Sequence, residues 1–154
     1  MITEEEKREI EALGRRFPVK RAACVEALLL VQKSRGWISD ENLEAVARIL
    51  DMTPAELSGV ATFYSQIYQK PVGRHVILVC DSISCWIMGF EKIRDHLFTR
   101  LKIQIGQTTP DGRFTILPIS CLGACDHAPA MLVDDDLHAD LTPEKIDAVL
   151  ERYK

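Results

Sequence analysis

The sequence has no glycine-rich nucleotide loop. Its eight glycines never fall into G-x-G-x-x-G or G-x-x-x-x-G-K, so the chain offers no evident site of its own for NAD, a flavin or ATP. Long apolar runs are missing too. The longest, around residues 28–31, is flanked by Glu26 and Gln32, whereas a bilayer-spanning helix needs about 20 apolar residues. Nor is there a surplus of positive charge: the net charge of −4 disfavours nucleic acid or an anionic membrane surface as the main partner. The opening Met1-Ile2-Thr3-Glu4-Glu5-Glu6 lacks the basic and apolar stretches of a secretory leader. The expected location is therefore a reducing cytoplasm with no direct membrane insertion, where paired cysteines read as ligands or redox groups rather than disulfides. No internal repeat or low-complexity tract stands out. What is present is ordinary for a globular protein, 47% hydrophobic and 27% charged over 154 residues, enough for one domain or two small ones.

Against that background the cysteines are distinctive. Four of the five form two close pairs, Cys80-x4-Cys85 and Cys121-x3-Cys125, each where an apolar run gives way to polar residues. Four thiolates brought together bind a soft metal centre, either a [2Fe–2S] cluster or a structural zinc. Zinc knuckles commonly use C-x2-C, which neither pair matches, and a disulfide oxidoreductase would use C-x-x-C. The spacing therefore favours iron–sulfur and leaves a zinc-stapled interaction module as the contrasting reading. Cys24 stands apart on an apolar helical face and reads as a core residue.

The two halves of the chain carry different patterns. In the first, Thr3 and Glu6 form a capping box for a helix burying Ile10 and Leu13 and stopped by Gly14 and Pro18. A second helix is expected over residues 20–35, ending at Gly36. Ser39 or Asp40 caps a third, with Leu43, Val46, Ala47 and Leu50 on one face. Thr53-Pro54-Ala55-Glu56 opens a fourth. After Lys70-Pro71-Val72-Gly73 the pattern turns to strands. His75-Val76-Ile77-Leu78-Val79 runs into Cys80, and a helical period (Ile87, Phe90, Ile93, Leu97) follows Cys85. Strands are then expected at residues 114–118, 130–133 and around Leu137 and His138. A closing helix capped by Thr142 buries Ile146, Val149 and Leu150. The expectation is an α+β chain: an N-terminal helical bundle over residues 1–72, then a thioredoxin-like α/β domain over residues 73–154.

Around the cysteines, Gly123 permits a positive φ and close approach, and Ser82, Ser84 and Thr115 are candidate hydroxyl donors to sulfur. His75, His96, His127 and His138 read as surface or hydrogen-bonding residues, since four cysteines complete a ligand set. The run Asp134-Asp135-Asp136 reads as a solvated turn. The aromatics of Ala61-Thr62-Phe63-Tyr64-Ser65 read as core packing or, alternatively, as a partner-facing patch. No side chain is expected to act as a catalytic acid, base or nucleophile.

Three segments taken together resemble one known family: Gly59-Val60-Ala61-Thr62-Phe63-Tyr64-Ser65, Val79-Cys80-Asp81-Ser82-x-x-Cys85 and Cys121-Leu122-Gly123-Ala124-Cys125-x-x-Ala128-Pro129. That family is the E subunit of bacterial NADH:quinone oxidoreductase, the 24-kDa subunit of respiratory complex I, and the likeness runs from about residue 10 onward. The resemblance implies one [2Fe–2S] cluster held by Cys80, Cys85, Cys121 and Cys125, the first pair on one iron and the second on the other. It implies a partner F subunit carrying FMN and the NADH site, against which the N-terminal helices pack. The assembly would be the peripheral arm of a membrane-bound complex on the cytoplasmic side of the inner membrane. Related subunits of NAD-linked hydrogenases and formate dehydrogenases remain an alternative assembly. With Asp81 and Asp126 beside the ligands, the expected reduction potential is low, about −400 mV or not far above it. One departure is Trp86, where members of that family often carry histidine.

Overall fold

In a computed structural model describing residues 2–153, the chain divides into two compact units, Met1–Pro71 and Val72–Lys154. The first is wholly helical. Thr3 caps α1 (Glu4–Arg15) through the reciprocal bonds of a capping box, its hydroxyl accepting from Glu6 N–H while the Glu6 carboxylate accepts from Thr3 N–H. The expected second helix is split. Residues Lys20–Ala23 form a 3-10 turn, and α2 (Cys24–Arg35) follows, ending at Gly36 with φ 79°. Ser39 caps α3 (Asp40–Ile49), and Thr53 caps α4 (Pro54–Phe63) with a second capping box.

These helices enclose an apolar core that includes Ile10, Leu28, Val31, Val46, Leu50 and Leu57. Leu13 and Cys24 lie at its margin, partly buried, rather than within it. The Arg35 guanidinium meets the Glu6 carboxylate here with both side chains largely buried, holding the Glu6 carboxyl well below the usual range. A mostly desolvated pair of this kind ties the ends of α1 and α2 together.

The second unit is built on a four-stranded sheet in the order β2-β1-β3-β4. Its strands are β1 (His75–Cys80), β2 (Phe114–Ile119), β3 (Met131–Val133) and β4 (Asp136–His138). β1 and β2 are parallel, paired from His75↔Phe114 through Cys80↔Ile119, while β3 is antiparallel to both of its neighbours. The parallel pair needs a crossover, which α5 (Ile83–Ile87) and α6 (Phe90–Leu101) supply. Helix α7 (Pro143–Leu150) closes the unit. Phe90, Ile93 and Leu97 of α6 and Ile146, Val149 and Leu150 of α7 share a core with Ile77, Val79, Phe114, Ile116 and Met131. β1 is buried from Val76 to Cys80, as a central strand requires.

Two expectations change here. The single helical period after Cys85 is two helices, separated by Gly89 at φ 108°, so Ile87 belongs to a short surface helix and is exposed. The acidic turn is not simply solvated. The Asp134 carboxylate accepts from Val76 N–H at 2.9 Å and pairs with His75 Nδ1 at 2.7 Å, fastening the β3–β4 turn to the start of β1.

Candidate metal centre

Adjacent parallel strands that start together also end together, and ligands gather at their carboxyl ends. That rule places the cysteines. Cys80 is the last residue of β1, and Cys121 lies just past the end of neighbouring β2. Asp81 N–H donates to Ile119 C=O at 3.1 Å, carrying the ladder one step beyond Cys80, while Cys80 N–H donates to Ala130 C=O at 3.1 Å. The backbone of Cys80 is thus anchored from both sides.

Cys85 does not lie in a loop, as its sequence context implies, but within α5, where Trp86 N–H closes the first turn on Ser82 C=O at 2.8 Å. Both near cysteines are core residues, Cys80 2% and Cys85 1% exposed, packed with Phe90, Ala128 and Met131. The far pair is exposed and held differently. Gly123, at φ 76°, turns its N–H onto Cys121 Sγ at 3.3 Å. A Cβ at Gly123 would meet nothing within 4 Å, so the backbone torsion and not crowding is what calls for glycine. Leu122 leans on the core beside it.

The Cys121 and Cys125 sulfurs are 3.7 Å apart. Two thiolates on one tetrahedral metal, each at about 2.3 Å, stand about 3.8 Å apart, so this pair already has the spacing of two ligands on one ion. Electrostatics link all four thiols. Burial, then the hydrogen bond with Cys80 and the nearby Cys80 and Cys125 sulfurs, push Cys85 up to about 11. The Gly123 N–H, followed by contacts from Cys125, Ser82 and Cys80, lowers Cys121. Cys125 is raised, chiefly by its bond to Cys121, with the Ser84 hydroxyl opposing. Among the described residues no three His, Cys, Asp or Glu side chains are set to share one ion, and Cys121 and Cys125 are the pair that stands at ligand spacing. Two sulfurs per iron is what a binuclear cluster asks of its protein, and this donor set fits one.

Of the candidate hydroxyls, Ser82 acts electrostatically on Cys121 and Ser84 on Cys125, but Thr115 does not serve the site. Its oxygen accepts from Gly73 N–H at 2.6 Å and bonds Thr108 Oγ1 at 2.7 Å, near the opposite end of β2. The histidines have other partners: His75 meets Asp134, His96 meets Asp147, His127 meets Asp126 and Asp140, and His138 meets the Tyr153 hydroxyl.

One feature of the site escapes sequence reading. Ile83, Trp86, Ile87 and Met88 form an exposed apolar stretch around Cys85, with Trp86 stacked on Phe90 at 5.8 Å between centroids. A signal for it exists in Met88-Gly89, which interrupts the helical period and frees Ile87 from the core. In the first unit Phe63 is 80% exposed and edge-on to Tyr64, so these aromatics are not core packing. Among the described residues no helix is long and apolar enough to cross a membrane.

Comparison with known proteins gives a consistent result. The family described as thioredoxin-like [2Fe-2S] ferredoxin matches residues 10–154. The E subunit of NADH-quinone oxidoreductase from Escherichia coli (strain K12) is 52% identical over 149 residues, covering 97% of this chain and 90% of that protein. The protein of the same name from Buchnera aphidicola (subsp. Acyrthosiphon pisum, strain APS) is 48% identical over 153 residues, covering 99% and 94%. Among solved structures, an NAD+-reducing [NiFe]-hydrogenase in its air-oxidized state aligns with a TM-score of 0.71 at 27% identity. That match covers 85% of this chain and 22% of the hydrogenase chain.

Proposed function

The chain belongs to the thioredoxin-like [2Fe-2S] ferredoxin family, and from that membership we infer that it is the electron-transfer subunit of an NADH:quinone oxidoreductase. The observation that carries this reading is the gathering of Cys80, Cys85, Cys121 and Cys125 at the carboxyl ends of β1 and β2, within a chain that the E-type relatives match over nearly its full length. Cys80 and Cys85 hold one iron and Cys121 and Cys125 the other. When bound, the cluster supplies one-electron exchange with the flavin of a partner protein.

The protein's own residues fix and shelter that centre. Core packing immobilises the near ligands and keeps water from them, while Gly123 orients the far loop. Asp81 and Asp126, both exposed beside the ligands, add negative charge that favours a low potential. No side chain need act as acid, base or nucleophile, so NADH oxidation belongs to the assembly rather than to this chain.

The partner is an FMN- and NADH-binding F subunit within the peripheral arm, on the cytoplasmic side of the inner membrane. The apolar edge of Ile83, Trp86, Ile87 and Met88 supports a protein surface covering the cluster side, and exposed Phe63 and Tyr64 support a second contact from the helical unit. Residues 1–72 then form the partner-binding domain and residues 73–154 the cluster domain. The likeness to an NAD+-reducing hydrogenase supports a second assembly of the same kind. At 27% identity against 52%, it ranks behind the respiratory one.

Anaerobic reconstitution with iron and sulfide tests the reading. About two irons and two acid-labile sulfides per chain, and a rhombic EPR signal after dithionite reduction, are expected. Cys121→Ala should abolish the signal and Cys24→Ala should keep it. One zinc per chain with no signal would replace the electron carrier by a zinc-stapled module.

A further inference from the structure

The two cysteine pairs differ in what governs oxidation of a thiol, access and freedom to move. Cys80 and Cys85 are 2% and 1% exposed, so a dissolved oxidant cannot reach their sulfurs without local unfolding. They are also held in hydrogen-bonded elements. Cys80 ends β1 with its N–H bonded to Ala130 C=O, and Cys85 lies within α5. Cys121 and Cys125 are both exposed, both thiols are free, and their sulfurs stand 3.7 Å apart. Cys121 lies beyond β2 and Cys125 opens a 3-10 turn, so the residues between them belong to no strand or helix. An exposed thiol with a second thiol beside it is set up to close a disulfide when the first is oxidised. Disulfide sulfurs are about 2.0 Å apart, so the closure takes about 1.7 Å, which two side-chain torsions in a loop can supply.

We propose that Cys121 and Cys125 form a reversible disulfide when the chain meets hydrogen peroxide before it is loaded, and that this disulfide blocks cluster assembly. The proposal rests on the functional reading above and adds a regulation to it. One thiol sulfur attacks the peroxide: an S–O bond forms, the O–O bond breaks, and the thiol proton leaves with the departing hydroxide as water. The second sulfur then displaces the remaining oxygen. The S–S bond forms as the S–O bond breaks, and the second thiol proton leaves with that hydroxide as another water. The sulfurs lose two electrons in all, and the peroxide takes them. A dithiol reductant returns two electrons and two protons by exchange. A metal ligand must be a thiolate, so the disulfide withdraws two of the four donors and leaves Cys80 and Cys85 unchanged.

The test uses the full chain, stripped of metal by a chelator under reductant, freed of both, and exposed to hydrogen peroxide. Mass spectrometry should show a product lighter by two hydrogens, about 2 Da, with the loss confined to the peptide holding Cys121 and Cys125. Cys24, Cys80 and Cys85 should still be alkylated after denaturation, and Cys24→Ala should give the same product. Cys125→Ser should stop at a sulfenic acid on Cys121 that a β-diketone traps. Oxidised and reduced chains are then offered a preassembled [2Fe–2S] cluster on a carrier protein, without free thiol or sulfide to reduce the bond. The oxidised chain should take up less than about a tenth of what the reduced chain binds, and dithiol treatment should restore uptake. A disulfide joining any other pair, oxidation without a disulfide, or equal uptake by the two chains overturns the proposal. A reduced chain that takes up no cluster, even from iron and sulfide, overturns the functional reading itself, and the mass measurement then judges the oxidation site alone.

Discussion

The helical unit and the sheet unit are held together on different terms. The first closes on itself: two capping boxes, an apolar core and the Glu6–Arg35 pair engage groups that are all within that unit. The second leaves its four cysteines free of disulfides, two of them exposed, and carries a pair of sulfurs already at ligand spacing. Two thiolates at that distance would repel each other, so ionisation of both favours a bound cation. One region draws its contacts from its own side chains, and the other presents donors for a metal.

Stripping metal from the loaded chain should show the largest difference. Binding stabilises a fold by about 4 kcal/mol when free ligand exceeds Kd a thousandfold, so chelation should lower the protection of β1, β2 and the cysteine loops by a comparable amount. Hydrogen exchange read separately for residues 2–71 and 72–153 checks it. Equal loss in both units would erase the distinction.

The opposite perturbation is Glu6→Gln. It removes a charge-assisted bond to Arg35, costing the helical unit about 1.5–3 kcal/mol, with no effect on cluster uptake. The pH dependence follows from the sign. The folded Glu6 carboxyl lies below its ordinary value of 4.5, so its contribution is fully present above that pH and is lost as pH falls through the folded value. Acid titration of wild type and Glu6→Gln should begin to converge as pH falls below 4.5, the difference vanishing only at the folded value; parallel curves would remove Glu6 from the account.

Gly123→Ala is the finest probe. The positive φ costs an L-residue about 1 kcal/mol, and open space around the site means no steric penalty is added. Slower cluster uptake with an unchanged helical unit is expected, measured by the rise of visible absorption during reconstitution. Wild-type uptake would show that the loop needs no left-handed turn.

How much could be read in advance depended on range. Helix beginnings at Thr3, Ser39, Thr53 and Thr142 were readable because a cap is made within about four residues; β1 and β2 were readable from β-branched apolar runs, and β3 and β4 from an apolar run followed by the acidic turn. Cys85 inside a helix, the exposure of Ile87 and the employment of Thr115 beside Gly73 were not readable. Each depends on neighbours distant along the chain, or on a helix too short to show a period.

From the order of amino acids alone came the kind of donor available for a metal, four thiols in two close pairs, together with the change from helical to strand pattern near Pro71. Composition and local spacing suffice for those, since they concern residues a few bonds apart. Which thiols would be buried and which apolar side chains would face outward were settled by folding. The parallel pairing of β1 with β2 brings two remote loops to one edge, and no local preference encodes that proximity.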